Sequence, residues 1–330
     1  MVVVESVKTG KILAAADSDT VDPNDPGATA AENRGARVFS AAYEPGSVMK
    51  PVTASALIDT GRGTPLSHVL APYSYTATNG ATFRDSEFHD PEKLTLAGVL
   101  MESSNTGISI LGQKVPASVR YAYLRKFGFG AATAVDFAGE TTGILKNYKD
   151  WDNQTDYTTM FGQGVSASIM QLAGEYQAIG NDGVRLPTKL VDSCTAADGT
   201  VTDTGTGKAV RVEKASTSKK IVKMMEGVYR EGFAAADLKI PGYNIGAKTG
   251  TGEYQLPNGT YSAGSYNATV AGLAPAENPK YVVIAMLHAP TKTTSSLATA
   301  PLFHDIMSQV LKTYDVTPST KEDPLYPMTY

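Results

Sequence analysis

The sequence predicts a mixed α/β chain of the α+β kind: one antiparallel sheet flanked by helices, with a helical subdomain inserted between its strands. Two observations carry this. Strand-like stretches lie at both ends, at Val2–Val7 and from Tyr243 to His288, while helical patterns fill the middle. The chain is also large enough: 330 residues, 42% of them hydrophobic, provide ample material for a core.

Taken in order, Val2–Val7 and Lys11–Ala15 read as a hairpin turning at Gly10. Residues 17–35 are rich in Asp, Asn, Pro and Gly and read as a loop. Pro45-Gly46 introduces a helix from Ser47 to about Thr60, stopped by Gly61. Residues 62–92 look irregular, with extended pieces around Tyr73–Tyr75. Helical patterns follow at about 94–102, 105–114 and 117–127, the last ended by Gly128 and Gly130. Another covers 168–179 and stops at Gly180-Asn-Asp-Gly183. Val184–Val191 and the stretch to Val212 suggest strands. Ile221, Met224, Met225 and Val228 share one face of a helix from Ala215 to Tyr229. Strands are expected at Tyr243–Glu253, Tyr266–Leu273 and Tyr281–His288, separated by turns at Pro257-Asn-Gly259 and Pro275–Pro279. A helix from Pro301 to Tyr314 closes the fold. The expected division is a unit over 1–315, with its helical insertion at roughly 62–185, and a mobile Pro-rich tail over 316–330.

Bulk properties narrow the function. A net charge of −4 gives no argument for nucleic acid or an anionic membrane surface as a partner, and no nucleic acid is expected. Cys194 is the single cysteine, so no internal disulfide is possible, and its turn context gives no sign of a nucleophile. No apolar run reaches 18 residues. Met1 leads straight into Val2–Val4, without a basic leader, so either the protein is cytoplasmic or a targeting segment has been removed. His68, His89, His288 and His304 lack ligand spacing, so neither metal nor cofactor is expected. Arg84–Asp90 carries polar side chains that read as a solvated loop.

Chemistry is suggested by three short motifs in one order: Ser47-Val-Met-Lys50, Ser103-Ser-Asn105 and Lys248-Thr-Gly-Thr251. Each has a second copy: Ser216 with Lys219, Ser265-Tyr-Asn267 and Lys8-Thr-Gly10. Dull explanations suit those copies: a helix start, a strand start and a hairpin turn. The first set suits acyl transfer. Ser47 starts a helix, where free amides favour developing negative charge, and Lys50 follows one turn later on the same face. A lysine can act as base only if burial or another cation lowers its pKa, and Lys248 could be that cation. Ser103 could relay protons to a leaving amine, and Asn105 could bind a substrate amide. Lys248 with Thr249 and Thr251 could clamp a carboxylate, while Gly250 lets a substrate backbone approach. The backbone amides of Ser47 and Thr251 could form an oxyanion hole. Read singly, the same motifs are a helix cap, a capping turn and a Gly-rich edge strand.

The ordered set is that of active-site-serine β-lactamases and penicillin-binding proteins. The resemblance extends to Tyr43–Pro51, Leu94–Asn105, Phe161-Gly-Gln-Gly164 through Gln171-Leu-Ala173 to Asn181-Asp-Gly183, and Thr269–Pro275. From residue 2 to 314 the chain is similar to the transpeptidase domain of class B penicillin-binding proteins, most of all the septal, cell-division type. The resemblance implies a serine β-lactamase/transpeptidase fold and peptidoglycan D,D-transpeptidation through a Ser47 acyl-enzyme. Stem peptides would be substrates and β-lactam antibiotics covalent inhibitors. It implies no cofactor. It further implies a membrane anchor and a pedestal domain outside these residues, a place on the outer face of the cell membrane, and divisome or glycosyltransferase partners. D,D-carboxypeptidases share all three motifs. A class A β-lactamase needs E-x-x-L-N, which none of Glu140, Glu175, Glu226 and Glu231 begins, and class D enzymes carry S-x-V. A non-catalytic β-lactam sensor is the remaining alternative.

Overall fold

Five antiparallel strands make the central sheet, in the order Gly246–Gln255, Tyr261–Ala274, Tyr281–His288, Val2–Ser6, Ile12–Ala16. The computed structural model describes every residue except 19–20, 32–33, 204–206 and 256–259. Both ends of the chain build the sheet, as the sequence suggests: Val2 lies opposite Ala285 and Ser6 opposite Tyr281. The strand Tyr281–His288 is buried on both faces, which accounts for its unbroken apolar run. Val283 and Ala285 pack with Phe303, Met307 and Leu311 of the C-terminal helix Ala300–Thr313. Val282, Ile284 and Met286 face the other way, into a larger core shared with the helices Lys50–Asp59, Ile169–Gly180 and Ala215–Glu231. Each fully buried Val, Ile, Leu or Phe contributes about 1.5–3 kcal/mol, so this layering holds the sheet between two helical faces.

Several elements differ from expectation for local reasons. The helix expected from Ser47 begins as a 3-10 turn over Gly46–Met49, and the α-helix runs Lys50–Asp59. Pro51 has no N–H to return to Ser47 O, which accepts instead from Lys50 N. The helix expected at 94–102 starts at Leu96, because Thr95 caps it by accepting from Gly98 N at 3.0 Å. The residues before it, Glu92–Thr95, form a strand against His68–Ala71. The irregular stretch 62–92 therefore holds short strands, including the hairpin Ser74–Thr76 with Thr82–Arg84. Of Val184–Val191, Val184–Arg185 is a strand, paired with Val210–Arg211. The middle C-terminal strand starts earlier than expected, at Tyr261. The turn placed at Pro257-Asn-Gly259 lies outside the described residues.

The tail, expected to be mobile, returns to the molecule at its end. Thr95 Oγ1 donates to Pro327 O at 2.6 Å, and Thr95 N donates to Met328 O at 2.9 Å. The Tyr330 ring stacks on His68 with centroids 3.8 Å apart. A Pro-rich segment cannot form a helix, yet its carbonyls remain free to accept, and Thr95 is almost fully buried beneath them. Truncation after Leu325 therefore leaves buried donors unpaired. The expected loss is about 1–3 kcal/mol of stability, visible as a lower urea midpoint at an unchanged fold.

Candidate active site

Ser47 is set by the 3-10 turn and its neighbours. Tyr176, buried in the helix Ile169–Gly180, donates from its hydroxyl to Val48 O at 3.0 Å. Gly46 N donates to Gly162 O at 3.0 Å. Gly162 has φ +82°, and a Cβ there would fall 2.1 Å from Gly46 O. The Gly-Gln-Gly segment is thus the backbone cradle of the serine turn, a role that its sequence alone did not disclose.

Lys50 Nζ lies 2.8 Å from Ser47 Oγ and 3.3 Å from Ser103 Oγ, and it also contacts Ser103 O. Lys248 Nζ donates to Ser103 Oγ at 2.8 Å and to Thr249 O at 3.0 Å. Four of the expected residues, from two helical segments, a turn and a strand, are therefore linked in the order Ser47, Lys50, Ser103, Lys248. Ser103 holds a left-handed backbone, φ +59°, a conformation that costs a non-glycine residue about 1–3 kcal/mol and marks a functional turn. Asn105 opens the helix Asn105–Gly112 and donates from Nδ2 to Arg84 O at 3.0 Å, so part of its amide is already engaged.

Both lysines are fully buried. Burial pulls Lys50 down to about 7, and the Asp85 carboxylate partly opposes it. Lys248 is pulled well below the ordinary lysine range, first by burial and then by the charge of Lys50. Burial is the first cause at both lysines.

The glycines of the Lys248 strand have a packing role as well. A Cβ on Gly250 would lie 2.8 Å from Pro45 O and 2.9 Å from Val48 N, and one on Gly252 would lie 1.8 Å from Glu44 O. These glycines admit the protein's own serine turn. Strand alternation explains the pattern, since residues 248, 250 and 252 share one face. Thr251 is brought beside the turn as well: a Cβ on Gly46 would meet Thr251 O at 2.5 Å.

One expectation is corrected at Asp85. The solvated loop expected over Arg84–Asp90 holds a carboxylate that is only 7% exposed, bonded to Ser104 and Thr106. Its polar neighbours concealed this, because nothing local distinguishes a buried Asp from a solvated one. The duplicate motifs lie elsewhere. Lys8-Thr-Gly10 forms the hairpin turn, where Gly10 N donates to Ser6 O at 2.9 Å. Ser216 lies in the first turn of the helix Ala215–Glu231, whose cap position is Lys214. Asn267 Oδ1 pairs with His288 Nδ1 at 2.9 Å within the sheet.

A serine, two buried lysines and a strained turn serine are brought together on this sheet-and-helix scaffold. The chain belongs to the penicillin-binding protein transpeptidase domain family, whose model matches residues 1–308. It is 36% identical over 338 residues to penicillin-binding protein PbpB of Mycolicibacterium smegmatis, covering 99% of this chain and 52% of that protein. It is 33% identical over 318 residues to the peptidoglycan D,D-transpeptidase FtsI of Escherichia coli, covering 96% and 52%. The chain thus spans about half the length of the curated relatives it matches. Among solved structures, penicillin-binding protein 3 of Mycobacterium tuberculosis in complex with ampicillin superposes with a TM-score of 0.92 at 34% identity, covering 100% of this chain and 75% of that one. The fold is that of these penicillin-binding proteins, as the sequence leads one to expect.

Gly252→Ala tests the close approach. The added methyl meets backbone at Glu44, so the serine turn must move. A displacement of about 1 Å can cost on the order of a hundredfold in rate, and a penicillin acylation assay should show such a fall.

Proposed function

We propose that this chain is the catalytic portion of a peptidoglycan D,D-transpeptidase that cross-links stem peptides during cell-wall synthesis and division. The carrying observation is the position of Lys50 Nζ, buried between Ser47 Oγ and Ser103 Oγ. Unprotonated Lys50 takes the Ser47 proton as Oγ attacks the carbonyl of a D-Ala–D-Ala bond. The developing oxyanion is received by the amides of Ser47 and Thr251. The leaving amine of D-Ala takes its proton through Ser103, and the acyl group stays on Ser47. A second stem's amine then attacks the ester, gives up a proton through the same pair and frees the serine.

Asn105 would hold a peptide amide, while Lys248, Thr249, Gly250 and Thr251 would receive the terminal carboxylate. Lys248 fits that task, because an arriving carboxylate favours its charged form. We assign catalysis to residues 1–315, with the helical insertion over about 62–185. The membrane anchor, the extracytoplasmic site and the divisome or glycosyltransferase partners belong to this same proposal. The support for them is the membership of the family and the division-type motifs.

Intact mass after mixing with a penicillin is the direct test. A single long-lived adduct, absent in Ser47→Ala and retained in Ser216→Ala, supports the proposal. Rapid loss of the adduct with bulk hydrolysis would mean a β-lactamase, and no adduct would refute the nucleophile. The acylation rate should also report Lys50. The base works without its proton, so the rate should fall about tenfold per pH unit below pH 7 and level off above it, measured with a fluorescent penicillin.

A further inference from the structure

Asp85 lies between the strands Thr82–Arg84 and Glu92–Thr95, outside the three motifs. Its carboxylate gathers donors from the turn that carries Ser103. Ser104 Oγ donates to Oδ2 at 2.7 Å, Thr106 N to Oδ1 at 3.0 Å, and Thr106 Oγ1 to Oδ2 at 3.2 Å. Asn105 N makes a further close contact with Oδ1. Two of these donors are the first free amides of the helix Asn105–Gly112, which a carboxylate satisfies in both hydrogen bonding and charge. His89 Nε2 approaches Oδ2 at 3.1 Å from the outer side, and Glu92 lies 3.8 Å beyond His89.

We propose that Asp85 is a positioning residue for acyl transfer: it clamps Ser104, Asn105 and Thr106 so that Ser103 Oγ stays between Lys50 and Lys248, and it sets a negative charge within reach of Lys50. The inference rests on the functional reading above and deepens it. The clamp explains how Ser103 keeps a left-handed backbone. Three consecutive residues after it are fixed, so the strained turn cannot relax into a longer helix.

The charge has a separate consequence. The polar groups facing Lys50 are Ser47, Ser103, Lys248 and, through space, Asp85. Asp85 is faced in turn by His89. The negative charge of Asp85 favours the protonated form of Lys50, against burial. Removing that charge should let Lys50 shed its proton at lower pH.

Three variants test this, with thermal melts to show that each is folded. In Asp85→Asn, one oxygen becomes a donor facing other donors. Its plateau acylation rate should fall about tenfold to a hundredfold, and the acidic limb of its pH profile should move to lower pH. Asp85→Glu keeps the charge but displaces it, so its plateau should fall while the limb stays in place. His89→Gln should leave the limb where it is, assigning the limb to Lys50. An Asp85→Asn protein with a rate within about twofold of wild type and an unmoved limb overturns the proposal, as does a limb that moves in His89→Gln. If Asp85→Asn does not fold, Asp85→Glu decides: a plateau equal to wild type overturns the clamp. A wild-type protein that takes no penicillin at all refutes the functional reading itself, an outcome distinct from these.

Discussion

Everything in the site depends on one buried amine. Lys50 has no exposed surface, and removing an ammonium from water costs several kcal/mol unless it is neutralised or paired. The fold does some of each: the ammonium is weakened by its dry surroundings and supported at a distance by Asp85. That balance brings its proton affinity close to neutral pH, where a base is most useful. A more exposed Lys50 would stay protonated, and a fully isolated one would bind its proton too weakly to take it from a serine.

Holding such an amine needs a dense backbone scaffold. The serine turn is clasped from two sides, by Gly162 and by the strand carrying Gly250 and Gly252, each close enough to exclude a methyl group. Tyr176 anchors the turn from beneath. The glycines of the third motif therefore belong to assembly as much as to recognition. They let two motifs separated by some 200 residues come within van der Waals distance.

Much of this was legible in the chain. The hairpin, the strand Tyr281–His288 and the helix Ala117–Phe127 follow from periodicity and turn residues, since each is governed by its own local pattern. The ordered motifs brought the four reactive side chains to notice because their spacing is itself a local signal. Features that depend on distant partners were not legible. The late start of the α-helix after Ser47 follows from one missing proline donor, and the seating of Tyr330 on His68 needs a strand that becomes visible only once its partner is known. Asp85 was read as solvated because burial is decided by what folds over a residue, here the Ser104–Thr106 turn.

The way the sheet is stitched also bears on how the protein comes into being. Val2–Val4 can pair with Val283–Ala285 only after all the residues between them have been made, and the turn carrying Ser47 can meet the strand Gly246–Gln255 only once that strand exists. Contacts of such long sequence separation form slowly, and until they do the edge of the N-terminal hairpin has no partner. Ser47 is thus made long before Ser103 and Lys248 exist. The side chains of the site are kept apart in the nascent chain by topology alone, and they come together with the completed sheet.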